Sequence, residues 1–479
     1  MIIILINLAM ELKMNLNLKK VSVALLVACS LTACVDDGDD GQTGAAGIAG
    51  VDGTNGTDGV STFVTRDDVI TTNANIAYAA YSDSLISAYE LKSAITTFIA
   101  TPTASNMQAA KQAWLAAREP YGQTEVYRFR VGPIDALKDD GTVGEEGDGP
   151  EGKINAWPLG EAIIDYVAVE VDGDSGPETP ANALTDNVIA NTSAYPTIDA
   201  ASIAGAFEFG EDERNVTTGY HAVEFLLWGQ DLNEDLAGAG TRDNSGGQRP
   251  VSDYANTVGD CTSGTGNIVT DNICVRRGQY LSAVADLLIA DLTPIAEAWE
   301  PATGSHYNNF VAGGDVSLAK ILEGMGRLSF GELAGERINI ALTTDSQEDE
   351  HSCFSDNTHR DIFLNAKGVQ NSFNAQYTRI DGEVITGASI YDLLVVEGSH
   401  ELANTLRASL EATMSAAAVI DTKAKTGTPF DVLIQEGIEQ ENVVAVINAL
   451  VQQTDEIEQA IDALGVTAGD LRQDTGEDI

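Results

Sequence analysis

Residues 74–99 read ANIAYAAYSDSLISAYELKSAITTFI. Ala88, Leu91, Ile95 and Phe98 follow one another at steps of three and four. That spacing predicts an amphipathic helix, because a strand would alternate every second residue. The same period returns in NMQAAKQAWLAAREPYGQTEVYRF (106–129), VRRGQYLSAVADLLIADLTPIAEAW (275–299), LAKILEGMGRLSFGELAGERINIAL (318–342) and ENVVAVINALVQQTDEIEQAIDAL (441–464). Polar, Gly-rich loops over 138–153, 171–199 and 238–271 separate these runs. The predicted class is all-α. So long a helical part exceeds what one compact core usually holds, so two helical domains are expected, over residues 63–260 and 261–479.

The segment before the helices has a different composition. From Met14 the chain reads MNLNLKKVSVALLVACSLTAC: a basic start, an apolar run and small residues before Cys34. This predicts a secretory signal over residues 1–33. Leu31-Thr32-Ala33-Cys34 resembles a bacterial lipobox, which makes Cys34 the lipidation site. Val21 to Ala33 is too short to span a bilayer, which takes about 20 apolar residues, so acyl chains would do the anchoring. The expected location is the bacterial cell envelope, with Val35 after Cys34 favouring the outer membrane over retention at the inner one. Glycine then falls at every third position from Gly38 to Gly59, with no proline between. Residues 34–62 are therefore expected to be a disordered, collagen-like tether, with a trimerising stalk as the alternative.

A formal charge of −47 argues against nucleic acid as a partner, since phosphates would be repelled. It suits cation binding, and equally solubility in a salty medium. Cys261 and Cys274 flank a short Gly/Thr/Asn loop and are expected to form a disulfide, leaving Cys353 as an odd thiol in an oxidising compartment. The chain has no CxxC pair, and so no zinc-ribbon pattern.

TGYHAVEFLLWGQD (218–231) sets His221 and Glu224 on one face of a helix. An imidazole and a carboxylate three apart can reach one metal ion, as in the ligand pairs of helical-bundle metal proteins. The competing reading is a hydrogen-bonded core histidine. QEDEHSCFSDNTH (347–359) gathers Glu348, Asp349, Glu350, His351, Cys353, Asp356 and His359. These residue types ligate metals, but Ser355 to Thr358 also look like turn and cap residues of a shaped loop.

GYHAVEFLLWG is similar to the GxHxxE signature of the imelysin family, also called the insulin-cleaving metallopeptidase-like family, at Gly219, His221 and Glu224. WLAAREPYGQTEVYRFRVGPID, EGKINAWPLGEAIIDYV, GRLSFGELAGERINIAL and QEDEHSCFSDNTHRDIFLNAKGVQN resemble its iron-regulated protein A branch. The resemblance implies two four-helix-bundle-like domains related by duplication, with a site near their interface and a link to iron uptake. It also implies acidic companions for His221: Glu125 and Asp135, and Glu323 from the second domain. One relatives' glutamate falls on Gly122. In SFGELAGERI, Arg337 either holds a site carboxylate or pairs structurally with Glu332. GSHELA (398–403) has the form GxHxxA and reads as a decayed counterpart or a coincidence.

Three functions follow. The first is binding of iron, or of zinc or copper, as an ion or a complex for acquisition at the envelope. The second is a metal-dependent peptidase with Glu224 or a neighbour as general base, although HExxH is absent. The third is a structural surface lipoprotein.

Overall fold

The computed structural model describes residues 64–138, 142–167, 187–208, 215–231, 242–264, 268–269, 272–473, 475 and 479. The expected signal, Cys34 and the glycine tether lie outside the described residues. Eight α-helices of ten or more residues are described: α1 (Arg66–Ala100), α2 (Ala104–Tyr121), α3 (Gly219–Trp228), α4 (Ile273–Ala298), α5 (Asp315–Arg327), α6 (Thr358–Asn374), α7 (His400–Lys425) and α8 (Gln440–Leu464). The protein is mostly helical. Two three-residue strands, β1 (Gln376–Thr378) and β2 (Val384–Thr386), pair antiparallel with Gln376 opposite Thr386. No described helix is long and apolar enough to cross a membrane.

Local chemistry sets the helix ends. Thr65 and Asp68 form a reciprocal capping box at the start of α1. The inward face of α1 buries Ile70, Ala74, Ala77, Tyr81, Ala88, Leu91, Ile95 and Phe98. Asp83 lies buried on this helix because Arg379, Tyr377 and the Ile380 amide all bond to its carboxylate, at 2.7, 3.0 and 3.1 Å.

The packing falls into two sets of four. α1 lies against α2 and α4, and α3 packs on α2 and α4. In the second set α7 lies against α6 and α8, and α5 packs on α8. A continuous apolar core from Val69 to Leu471 joins both sets. Because α4 lies along α1, the core crosses the position near residue 260 at which the sequence places a boundary. Cys261 and Cys274 are disulfide-bonded just before and within the start of α4.

One long helical run departs from its sequence reading. Between α5 and the short helix Ile340–Thr344, residues Leu328–Asn339 form a π-helix. In this wider coil residues five apart stack, so the Arg337 Nε donates to Glu332 Oε1 at 2.9 Å across five positions. Gly335 sits in this segment where a Cβ would fall 2.6 Å from the Thr475 hydroxyl. The run reads as ordinary α-helix because its apolar spacing fits both coils.

Candidate metal site

Gly219 opens α3 with φ +78, and a Cβ there would lie 2.3 Å from the carbonyl oxygen of Ile154. Only glycine meets both demands. All ten residues of α3 are buried. His221 Nδ1 lies 2.9 Å from Glu224 Oε2, and Glu224 Oε1 accepts from the Ser355 amide at 3.0 Å and the Ser355 hydroxyl at 2.6 Å. His221 Nε2 is buried without a hydrogen-bond partner.

Burial pushes the Glu224 carboxyl up to about 8, against the pull of the Ser355 hydrogen bonds. Burial holds His221 well below the usual imidazole range, with His351 and Arg118 acting in the same direction. At neutral pH the contact is a neutral hydrogen bond rather than an ion pair. Loss of one proton from the pair places N–H on Nδ1 and a lone pair on Nε2.

His351 faces His221 with ring centres 4.7 Å apart and meets Trp157 on its other side at 4.3 Å. Its Nδ1 lies 2.9 Å from Asp361 Oδ2, and its Nε2 lies 3.3 Å from Asn155 Nδ2. Arg118 from α2 donates to Asp361 Oδ1 at 2.9 Å and to Asn155 at 2.5 Å. Although burial opposes it, Arg118 and His351 hold Asp361 well below the carboxylate range. Burial, helped by Arg337, lowers His351 to about 4.

A second set of predicted residues is neutralised by arginines. Arg337 donates to Glu125 at 2.8 Å as well as to Glu332, and Arg128 reaches Glu125 at 3.3 Å and Glu332 at 3.2 Å. Arg337 thus makes the Glu332 pair and holds a further carboxylate. Despite burial, Arg128 and Arg337 keep Glu332 at about 2. Asp135 stands 3.9 Å from Arg128, with one oxygen unpartnered and its carboxyl raised to about 7 by burial. Glu323, half-buried on α5, pairs with Arg327 at 3.7 Å. At Gly122 a Cβ would fall 2.8 Å from that of Leu364, leaving no room for a glutamate there. His400 is exposed at the start of α7, and His359 bonds to the Asp356 carbonyl at 2.8 Å.

Beside the histidines lies a void of 20 Å³, about one water or ion in size, lined by His221, His351, Glu161, Glu348, Glu350 and Cys353 among others. No arginine among the described residues lines it. Burial holds Glu161 and Glu350 well above the carboxylate range and raises Glu348 to about 7. One oxygen of Glu161 and both of Glu350 lack partners. An outer cavity of 310 Å³ shares Trp157, Pro158 and Glu348 with this void and is lined further by Arg128, Glu151, Glu332 and Glu336. Glu161, in the single turn Glu161–Ile164, escapes sequence reasoning because neither periodicity nor spacing marks it.

Among the described residues, the ligand atoms of His221, Glu224, Glu125, Asp135 and Glu323 do not converge. Among the described residues, the one set of three ligating side chains whose atoms all lie within 4.8 Å is Asp231, Asp356 and Asp431.

The chain resembles known proteins in both sequence and fold. It is 32% identical over 84 residues to iron-regulated protein A of Synechococcus elongatus (strain ATCC 33912 / PCC 7942 / FACHB-805), a stretch that spans 18% of this chain and 20% of that relative. The fold matches a candidate iron-regulated protein A precursor of Parabacteroides distasonis ATCC 8503, with TM-score 0.56 and 16% identity over 84% of this chain and 96% of the other. It also matches an imelysin-like protein of Psychrobacter arcticum 273-4, with TM-score 0.52 and 14% identity over 85% and 98%. The family model described as Imelysin matches residues 77–460, which take in α2 to α7, the GxHxxE helix and the π-helical run, and the chain therefore belongs to the imelysin family.

Proposed function

We propose that this protein binds iron, as the ion or within a small complex, at the void beside His221 and His351, as a capture protein anchored through Cys34 to the cell envelope. The observation that carries this reading is the split in the charge balance of the site. Glu125, Glu332 and Asp361 face buried arginines, whereas Glu161, Glu348 and Glu350 line an ion-sized void that no arginine among the described residues lines. Uncompensated buried acids are costly, and a bound cation relieves them.

His221 is built as a ligand of this kind. Once the pair has lost a proton, its Nδ1 donates to a carboxylate that Ser355 holds in turn, which fixes ring and tautomer and frees the Nε2 lone pair for a metal. Glu224 then orients the histidine instead of ligating. Imidazole with carboxylates suits ferrous or ferric iron and also accepts zinc or copper. The name of the cyanobacterial relative, iron-regulated protein A, favours iron. The outer cavity has the volume of a small-ligand site and would take the organic part of a chelate.

An anaerobic titration of the chain with ferrous iron, zinc and copper, beside His221→Ala and Glu161→Gln, tests this. One tightly bound equivalent, lost in His221→Ala and weakened in Glu161→Gln, is expected. Equal binding in all three proteins, or none, overturns the reading. Cleavage of a peptide library by the loaded protein but not by His221→Ala would favour the peptidase instead.

A further inference from the structure

Asp231, Asp356 and Asp431 come from three separate segments. Asp231 follows α3, Asp356 follows the turn Cys353–Ser355, and Asp431 lies in the turn Phe430–Leu433 that leads toward α8. Their ligand oxygens all lie within 4.8 Å of one another. Asp231 and Asp431 are 8% and 2% exposed. Asp356 is half-buried, and three carboxylates so close repel one another unless protons or a cation are shared among them.

An acidic cluster alone proves little, but two buried side chains beside this one carry unpartnered oxygens. Glu350, 1% exposed, has both carboxylate oxygens unpartnered at hydrogen-bond geometry, and the charges of Asp431 and Asp356 act on it against the pull of Thr358 and Arg242. Gln347, 3% exposed, places its amide against the cluster: Nε2 donates to Asp231 Oδ2 at 2.5 Å, while Oε1 is buried without a partner. One oxygen of Asp431 is likewise unpartnered. The unpartnered acceptors require either protons or a cation, while Nε of the neighbouring Arg242 and Nδ2 of Asn357 are unpartnered donors. The neighbouring Arg242 bonds to the main-chain oxygen of Asp431 at 2.6 Å and to Asp345 at 3.0 Å, rather than to the triad carboxylates.

We infer that Asp231, Asp356 and Asp431, with Gln347 beside them, form a site for one hard divalent cation of the calcium type, adjoining the histidine void, whose lining includes Glu350. All the available donors are oxygens, which selects calcium over softer metals, and calcium accepts six to eight of them in irregular geometry. Magnesium demands a tighter octahedron and fits a mixed, multi-segment cluster less well. The ion would tie together the end of α3, the loop before α6 and the approach to α8. This is a clamp rather than a reaction centre.

The test uses the full chain stripped of metal with a chelator, titrated with calcium and with magnesium by calorimetry and followed by thermal melting. One calcium per chain, bound more tightly than magnesium and raising the melting temperature saturably, is expected. Asp356→Asn and Asp431→Asn should lose both the binding and the calcium-dependent rise. Their metal-free melting temperatures should equal or exceed that of the metal-free parent, because each change removes repulsion. His221→Ala should keep calcium binding in full, so that failure here and failure of the iron reading are told apart. The inference is overturned if the parent binds no calcium, if the asparagine variants keep the rise, or if His221→Ala abolishes it.

Discussion

At the level of single side chains, the proton on the His221–Glu224 pair decides whether Nε2 can ligate. Glu224 sits at about 8, so below that pH its carboxyl donates to Nδ1 and the remaining ring proton occupies Nε2. Iron affinity should therefore rise by about tenfold per pH unit up to about 8 and then level, measured by competition titration from pH 6 to 9. Glu224→Gln fixes the unfavourable tautomer through its amide N–H and should weaken binding by about 10- to 100-fold at every pH, flattening that profile. Arg118 tests the opposite half of the site. Arg118→Ala strands Asp361 in the interior and should cost about 3–5 kcal/mol in urea unfolding. The pair His221 and Glu224 was legible in the sequence because three-residue spacing is local. The meeting of His221 with His351, and the role of Glu161, was not, since only tertiary packing brings those segments together.

At the level of elements, the long helices were legible because their apolar faces repeat at three and four. The wider coil from Leu328 to Asn339 was not, as a run containing Gly331 and Gly335 suits either geometry, and the choice falls to packing against α6 and α8. The glycine of GxHxxE has a plain steric cause in the mouth of α3. Gly219→Ala combines a left-handed φ, worth about 1–2 kcal/mol, with a collision against the Ile154 carbonyl, worth about 1–3 kcal/mol more. A loss of about 2–5 kcal/mol in chemical denaturation is expected, and an unchanged midpoint would reject the steric account. The short turns that carry Glu161 and Asp431 have no periodicity to read, which is why these two acids stayed hidden.

Across the whole molecule, the raised acids set how stability responds to alkali. Burial lifts Glu348 and Asp356 to about 7, Glu224 to about 8 and Asp231 to about 9. A folded-state pKa above the unfolded one gives stability that is full in acid and lost as pH rises through the folded value. Between pH 6.5 and 9 the buried histidines are already neutral, so the melting temperature of the metal-free chain should fall steadily, and saturating cation should flatten the fall. The order of two neighbouring residues adds a further property. Ser355 grips the carboxylate behind His221, and the next residue, Asp356, belongs to the aspartate triad. An ion held by Asp356 would fix the backbone beside Ser355, whose amide and hydroxyl both bond to Glu224, and so couple the triad to the carboxyl that sets the proton on Nε2. Linkage makes such help mutual: whatever factor calcium adds to iron affinity, iron must return to calcium, so a protein working in calcium-rich surroundings would take up its cargo there and release it where calcium is scarce.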